Sequence, residues 1–540
     1  MIMLNQVGYN TKQKKEAVVT FPGAYEVKNA KGETVLNVGT KEGIQDPLCR
    51  ETLYKLDFSK VTEAGTYKLV SQYGEESYSF VVGEDVYAEV HNAMIKALYF
   101  QRCGCALEEK YAGKFQHAAC HMDWVCRWED KDNDRVEKFE ACGGWHDAGD
   151  YGRYITPAAV TIAHLLYAYE KYPAAFTDSL NIPESGNGVA DVLNECRYEL
   201  EWMLKLQRED GGVYHKLTSQ YHVAFIMPEE DLAPFYAYAV SSMAVADFCA
   251  VMALCSRVYK KADAEFAKTL EQAAKKAWGW LEVNPQFVDF HNPADSGTGQ
   301  YDDDSDKDER LWAAVEMFYL AASLGEETAV YQERALAIMK EGIALVDFGW
   351  TDVAGFAPLA VLRDEEKQMG EEIYTICKEA VLTEAERLLA LCKDNAFAIG
   401  MNDQDFCWGS NMVITNRGIL WCLAYELTGN ESYMTAIQAH VDYLLGKNIT
   451  GYSYVTGFGE NAYCKPHSRP MHADGIEEAI PGWVSGGANG NPSDPEAMRM
   501  IPKGTAPMKC YVDVMESYST NEMTIYWNSS AVYVTAFLRR

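Results

Sequence analysis

At about residue 85 the apolar period of this chain changes, and that change limits the fold more than any other feature of the sequence. Before it, short alternating runs (Ala17–Phe21, Tyr25–Val27, Thr66–Val70, Tyr78–Val82) are broken by turns such as Asn29-Ala30-Lys31-Gly32 and Glu63-Ala64-Gly65. Strands of about five residues between Gly and Asn turns predict a small β-sandwich over 1–84. Nothing in that segment clusters ionisable groups, so a structural module is expected there. After it, Val86, Val90, Met94 and Leu98 recur at spacings of four, the mark of one helix face. Further helical runs begin near 157, 188, 237, 262, 308, 329, 352, 371, 409, 430 and 520. About twelve helices over 85–540 make the chain mainly α and predict six helical hairpins closed into a double ring, an α/α barrel. The long segments at 102–156, 208–236, 284–306 and 447–518 are rich in Trp, Tyr, His, Asp and Gly rather than linker residues. Loops of that length are commonly functional, and these are expected to wall an active-site cleft.

Charge narrows the partners. Across 540 residues, 48 Lys and Arg face 79 Asp and Glu, a formal charge of −31. Such a surface repels nucleic acid and anionic membrane, so neither is expected as a partner. A neutral ligand suits it, and 34 Tyr and 12 Trp offer stacking surface. The opening residues Met1–Lys15 lack the charged head, apolar run and cleavage site of a secretory leader. No long uncharged apolar stretch of membrane-spanning kind stands out. The 15 cysteines are odd in number and scattered, many in helical patterns (Cys249, Cys255, Cys377, Cys392, Cys422), and read as thiols in a reducing compartment. A cytoplasmic location is expected, with export as the alternative for a chain stripped of its leader.

Two motifs carry the chemistry. In Gly143-Gly144-Trp145-His146-Asp147-Ala148-Gly149-Asp150-Tyr151-Gly152-Arg153-Tyr154, two carboxylates three residues apart sit between glycines. One carboxylate held ionised can activate water while a second orients it; an Asx-rich turn capping a helix, or a calcium loop, reads the same residues. The second motif, Asp513–Glu522, precedes the apolar run Ile525–Leu538. There Ser519 and Glu522 have the spacing of a capping box, and Glu522, near Tyr518, Tyr526 and Trp527, equally suits a proton donor at a helix start.

These motifs, with Ser453–Glu460, Pro466-His467-Ser468-Arg469-Pro470 and Ser517–Glu522 in that order, resemble the family-9 glycoside hydrolases. The opening Leu4-Asn5-Gln6-Val7-Gly8-Tyr9 resembles the subgroup with an N-terminal immunoglobulin-like domain. Gln101-Arg102-Cys103-Gly104, Val213–Thr218 and Trp408-Gly409-Ser410-Asn411 extend the likeness along the whole chain. The resemblance implies inverting hydrolysis of β-1,4-glucosidic bonds in an (α/α)6 barrel, with cello-oligosaccharide or soluble β-glucan as substrate. Carried over by motif, Asp150 is the general base, Asp147 its partner in holding water, and Glu522 the general acid. An exo-acting β-glucosidase or β-glucosaminidase on the same scaffold is the alternative, and an inactive carbohydrate-binding protein a further one.

His467 and Arg469 match the family's sugar-contacting pair, with Ser468 where a second His is common. Trp312, Trp408 and Tyr518 are candidate stacking platforms, Trp408 and Tyr518 lying inside the matching motifs. Cys103, Cys120, His121 and His146 form a Cys2His2 inventory for tetrahedral zinc. Cys105, His117, Cys126 and Cys142 are rival ligands by spacing, and the resemblance implies a structural zinc at the first set. The acidic run Asp302–Glu309 reads as a solvated helix start; the resemblance implies calcium at Asp308 and Glu309. No organic cofactor is implied.

Overall fold

A computed structural model describes residues 1–133 and 135–540. The chain divides into two compact units. One comprises Met1–Ala97, Thr383–His467 and Ile476–Arg540; the other comprises Leu98–Leu382 and Ser468–Gly475.

The first unit begins with a β-sandwich of nine strands: β1 (Ile2–Met3), β2 (Gly8–Asn10), β3 (Glu16–Val19), β4 (Ala24–Asn29), β5 (Thr34–Gly39), β6 (Ile44–Asp46), β7 (Glu51–Asp57), β8 (Gly65–Ser71) and β9 (Phe80–Gly83). One sheet has the order β1-β3-β7-β6 and the other β2-β9-β8-β4-β5. Alternation directs Tyr25 and Val27 of β4 and Tyr67 and Leu69 of β8 into the core, where Tyr9, Phe58 and Phe80 meet them. The predicted turn at Asn29–Gly32 is present: Asn29 Oδ1 accepts from Lys31 and Glu33 N–H, both at 3.0 Å, and Gly32 takes φ +78°. Strands β5, β6 and β7 lie where no alternating run was read, since β5 is largely exposed and carries little apolar pattern.

The Leu4–Tyr9 phrase has a packing role. Within the same unit Asn5 Nδ2 donates to Asp442 at 2.9 Å, Gln6 N–H to Leu445 O at 2.9 Å, and Asn461 N–H to Gln6 Oε1 at 2.8 Å. The helices Ser410–Thr428, Glu431–Leu444 and Ile525–Leu538 complete this unit, with Trp421 Nε1 donating to Ala385 O at 3.1 Å.

The second unit holds the helices Ile155–Lys171, Asp191–Lys205, Ser242–Tyr259, Ala264–Val283, Lys307–Leu324, Ala329–Lys340 and Phe356–Val361. Helix Ser242–Tyr259 is long and apolar enough by mean hydropathy to cross a membrane, but it is not uncharged, carrying Asp247 and Arg257, and 89% of it is buried. It is the core helix of this unit and carries Asp247 in its interior. The expected helix near 352 is reduced to six residues, because the chain turns until Gly355, where a Cβ would meet Asp347 O at 2.2 Å.

An unforeseen four-stranded sheet lies inside the long segments: β10 (Cys126–Arg127), β11 (Arg153–Tyr154), β12 (Lys216–Ser219) and β13 (Phe235–Ala237), in the order β10-β13-β12-β11. Its strands have two to four residues, too short to show a period. It fixes Arg153 and Tyr154, immediately after Asp150, against Leu217 and Lys216.

Candidate active site

In the second unit, the loop bearing Asp147 and Asp150 is held along its length. Cys103 N–H donates to Gly144 O and His146 N–H to Gln101 O, both at 2.7 Å. The Gln101 amide donates to the carbonyls of His146 and Ala148 at 3.0 and 2.6 Å, straddling Asp147. From helix Asp191–Lys205, Glu199 accepts from Trp145 N–H, and Glu195 accepts from Trp145 Nε1 at 3.3 Å and Arg102 Nε at 3.1 Å. Gly144 takes φ +79°, and a Cβ there would lie 2.7 Å from the Trp202 ring. Glycine is required for that close approach.

The two aspartates have opposite environments. Asp147 accepts from the Tyr301 hydroxyl through Oδ2, while its buried Oδ1 has no partner among the described residues. Burial pushes its carboxyl well above the usual range; the Tyr301 hydrogen bond opposes this and the Asp150 charge adds to it. Asp150 Oδ2 accepts from Gly152 N–H at 3.0 Å and faces His222 Nδ1 at 3.2 Å. Burial would raise this carboxyl too, but His222, Arg469 and the Gly152 N–H overcome it and hold it at about 2. Neighbouring carboxyls with separated proton affinities are the usual basis for dividing roles at one site.

Arg469 braces this loop. Its N–H and Nη1 donate to Gly149 O at 2.8 and 3.1 Å, and its Nε to Val223 O at 2.9 Å. Those hydrogen bonds go to backbone carbonyls and fix where the guanidinium lies beside the loop.

In the first unit Glu522 is half-buried between the short turn Tyr518–Asn521 and helix Ile525–Leu538. The capping-box reading fails: Thr524 caps the helix through Trp527 N–H at 3.3 Å, and the Ser519 hydroxyl donates to Asp494. Asp494 also accepts from Ser517 Oγ at 2.9 Å and Ser519 N–H at 3.1 Å. Gly486 N–H donates to Glu522 O at 2.8 Å, and His467 N–H to Asn521 O at 3.0 Å. The acid candidate thus sits on a segment fixed by backbone bonds on both sides. His467 Nδ1 donates to Met515 O at 2.7 Å, and its ring meets Tyr518 at 5.8 Å. Trp408 is 47% exposed, with its ring 5.2 Å from that of Tyr518. Trp312 is 0% exposed, packed on Phe356 with Nε1 directed at the Tyr167 hydroxyl, so it has no face to offer a sugar.

Two sets of metal-ligating groups come together in the second unit. One ligand atom from each of Cys103, Cys120, His121 and His146 lies within 4.8 Å of the others. Cys103 Sγ to His121 Nδ1 is 3.5 Å, and His146 Nε2 to His121 Nδ1 is 3.4 Å. Zinc bonds of about 2.0–2.3 Å place tetrahedral donors about 3.3–3.7 Å apart, so the spacing fits a small tetrahedral ion. Asp231 accepts from His121 Nε2 at 3.2 Å, the outer carboxylate that orients a ligating imidazole. The rivals Cys105, His117, Cys126 and Cys142 fall outside this cluster.

The other set adds Asp303 to Asp308 and Glu309. Both Glu309 oxygens are buried without a hydrogen-bond partner among the described residues, as are both of Asp247, whose charge is felt by Glu309. Burial and these like charges push Glu309 well above the carboxylate range. An all-oxygen set of this kind fits a hard divalent cation.

Tyr301, His222 and Gln101 were not foreseen in these roles. Gln101 stands in a recognised phrase, and Tyr301 adjoins the acidic run; His222 carried no local signal.

Residues 87–535 match the sequence model of glycosyl hydrolase family 9, and residues 1–76 that of the cellulase N-terminal ig-like domain. The chain is 38% identical to a cellodextrinase of Butyrivibrio fibrisolvens, over 98% of both chains. Among solved structures it is similar to a thermostable endoglucanase of Alicyclobacillus acidocaldarius, with TM-score 0.91, 33% identity, and coverage of 100% of this chain and 99% of that one. It is also similar to a Zn-binding triple mutant of a family 9 endoglucanase, with TM-score 0.90, 27% identity, and coverage of 98% of this chain and 100% of that one.

Proposed function

This chain belongs to glycosyl hydrolase family 9, and from that premise we propose that it hydrolyses β-1,4-glucosidic bonds of short cello-oligosaccharides with inversion of configuration. The observation that carries the reading is Asp150, a buried carboxylate whose Oδ2 accepts from Gly152 N–H at 3.0 Å and faces His222 Nδ1 at 3.2 Å, its carboxyl held below the usual range. Such a group is fitted to take a proton from water. The family further implies an (α/α)6 barrel for residues 85–540.

In the proposed reaction, water attacks the anomeric carbon as the bond to the leaving sugar oxygen breaks. Asp150 takes one proton of that water, Asp147 holds the same water, and Glu522 gives its proton to the leaving oxygen. Inversion requires acid and base carboxyls roughly 6.5–9.5 Å apart so that the water fits. Trp408 and Tyr518 supply apolar ring faces for a pyranose, and His467 a polar edge near the acid. Cys103, Cys120, His121 and His146 would hold a zinc ion, whose role there would be structural: four protein donors would tie Cys103 to the catalytic loop and leave hydrolysis to the carboxyl groups. Asp303, Asp308 and Glu309 would hold calcium, whose charge would let all three carboxyls ionise in their buried setting.

A preference for oligosaccharides is supported by the full-length likeness to a cellodextrinase. Action in the cytoplasm is part of this reading, supported by the odd number of cysteines, fifteen, scattered through a large chain. Proton NMR of the first product formed from cellotetraose tests the mechanism: inversion gives the α-anomer before mutarotation. An initial β-anomer would overturn it.

A further inference from the structure

Tyr301, whose hydroxyl donates to Asp147, has φ +50°, in the left-handed region. A bulky residue keeps that conformation only where its surroundings over-determine it. Within the second unit, the residues just ahead of Tyr301 are held from strand β12, and most of the bonds converge on one side chain. Lys216 is buried, and its Nζ donates to Asn292 Oδ1 at 2.6 Å, Thr298 Oγ1 at 2.9 Å and Gly299 O at 2.7 Å. Three acceptors take the three protons of an ammonium. The rings of Tyr238, Phe290 and Tyr154 lie 4.5, 5.5 and 5.7 Å from the same nitrogen. Burial lowers the amine to about 7, and the Asp150 charge opposes that shift. A buried ammonium carries a desolvation cost that an apolar side chain of the same length avoids, so its use here needs a reason beyond filling space.

The neighbours of Lys216 reinforce the hold. His215 Nε2 donates to Gln300 O at 2.8 Å while its Nδ1 accepts from Ser241 Oγ at 2.8 Å, the neutral form that burial favours. Thr218 spends its hydroxyl proton on Ser219 O at 2.9 Å, so the Thr298 hydroxyl is the donor in its 2.8 Å bond with Thr218. The same strand reaches the catalytic loop. Lys216 pairs with Tyr154 across β11 and β12, Gly299 N–H donates to the Tyr154 hydroxyl at 3.1 Å, and Asp147 N–H donates to Gly152 O at 2.9 Å. Tyr301 and Asp147 are thus referred to one strand pair from opposite sides.

We propose that Lys216 is a positioning residue for hydrolysis: by holding Asn292, Thr298 and Gly299 at once, its ammonium fixes the backbone ahead of Tyr301 and so aims the Tyr301 hydroxyl at Asp147 Oδ2. The proposal rests on the reading of Asp147 as the group that holds the attacking water. The Lys216 hydrogen bonds go to the 292–299 segment rather than to either aspartate, so its action on the site passes through Tyr301.

The test is a double-mutant cycle of Lys216→Met and Tyr301→Phe, read as kcat and KM on cellotetraose with melting temperature recorded. Assays at about pH 6 stay below the value to which burial lowers the amine and keep the ammonium present. Lys216→Met alone should lower kcat about two- to tenfold, the range of the hydroxyl hydrogen bond through which it acts, with KM within about twofold. In the Tyr301→Phe background the same substitution should cost less than about twofold in kcat, because the hydroxyl it aims is gone. A loss undiminished in that background, or an unmoved kcat in Lys216→Met, overturns the proposal. General loosening of the fold, or a direct effect of the Lys216 charge on Asp150, gives that undiminished loss. Where Lys216→Met does not fold, Thr298→Val, which removes one acceptor of the ammonium, runs the same cycle under the same two criteria. Asp147→Asn separates the proposal from the reading beneath it. Near-normal activity of that variant rejects the role of Asp147, whereas an inactive Asp147→Asn beside an undiminished loss in the cycle rejects Lys216 alone.

Discussion

The Tyr301 hydroxyl donates to Oδ2 of Asp147, reaching it from 154 residues along the chain. Tyr301 is itself wedged between the rings of Tyr154 at 4.7 Å and Trp350 at 4.8 Å. The phenol therefore fixes one oxygen of Asp147 while the other has no partner among the described residues. A carboxyl held in this way has one oxygen in place to receive a hydrogen bond from water.

Tyr301→Phe keeps the wedge and removes only the hydroxyl. A hydrogen bond of this kind is worth about 0.5–1.5 kcal/mol, so kcat should fall on the order of 2- to 10-fold with KM little changed. Steady-state kinetics on cellotetraose measure this. Equal kcat in the variant would show that the Asp147 orientation does not depend on Tyr301.

The acid and base assignments make different demands on the leaving group. Glu522→Gln removes the proton donor and keeps the shape, so cello-oligosaccharides should lose activity far more than aryl glycosides with acidic phenols. Asp150→Asn should abolish both, since water activation is needed whatever departs. Parallel loss on the two substrate types in Glu522→Gln would remove Glu522 from the acid role.

What the sequence showed and what it hid follow from where each signal lies. Asp147, Asp150, His146 and Glu522 were legible because they stand in contiguous phrases with glycine or serine neighbours. The zinc set was legible as an inventory, but spacing alone left Cys105, His117, Cys126 and Cys142 open; only folding separates them. Tyr301 and His222 reach the aspartates through chain reversals of about 70 to 150 residues, and no local period records those. Trp312 misled because a helical run shows that an aromatic lies on a helix but not which neighbour covers it, here Phe356 and Tyr167. Arg469 stood out through its motif, but the loop carbonyls it holds, of Gly149 and Val223, lie far away in the sequence and left no signal there. The sheet β10-β13-β12-β11 escaped notice because strands of two to four residues have no alternation to read.

Zinc binding should be measurable without any activity assay. Protein purified without added metal should carry about one zinc per chain by elemental analysis. Cys120→Ser and His146→Ala should each lose it, and the melting temperature should fall by about 3–5 °C, as expected for a loss of about 2–3 kcal/mol in a domain of this size. Activity should follow through the loop, because His146 directly precedes Asp147 and Cys103 N–H holds Gly144. Full zinc content in both variants would show that other ligands hold the metal.

The last prediction concerns Trp408 and substrate length. Its ring is exposed beside Tyr518, and Tyr518 lies four residues before Glu522 on the same fixed segment. A pyranose stacked on this pair would sit close along the chain to the proton donor, so the contact belongs to the oligosaccharide rather than to the core. Aromatic contacts of this kind are worth about 0.5–1.5 kcal/mol beyond area burial, so Trp408→Ala should raise KM for cellotetraose about two- to tenfold. kcat for an aryl cellobioside, which has fewer sugar rings to place, should change less. The melting temperature should hold, since nearly half of the side chain is already in solvent. Unchanged KM across cellotriose, cellotetraose and cellopentaose would show that Trp408 touches no sugar. A rise confined to insoluble cellulose, with soluble oligosaccharides unaffected, would place the pair on a polymer-binding surface and count against the oligosaccharide preference proposed for this enzyme.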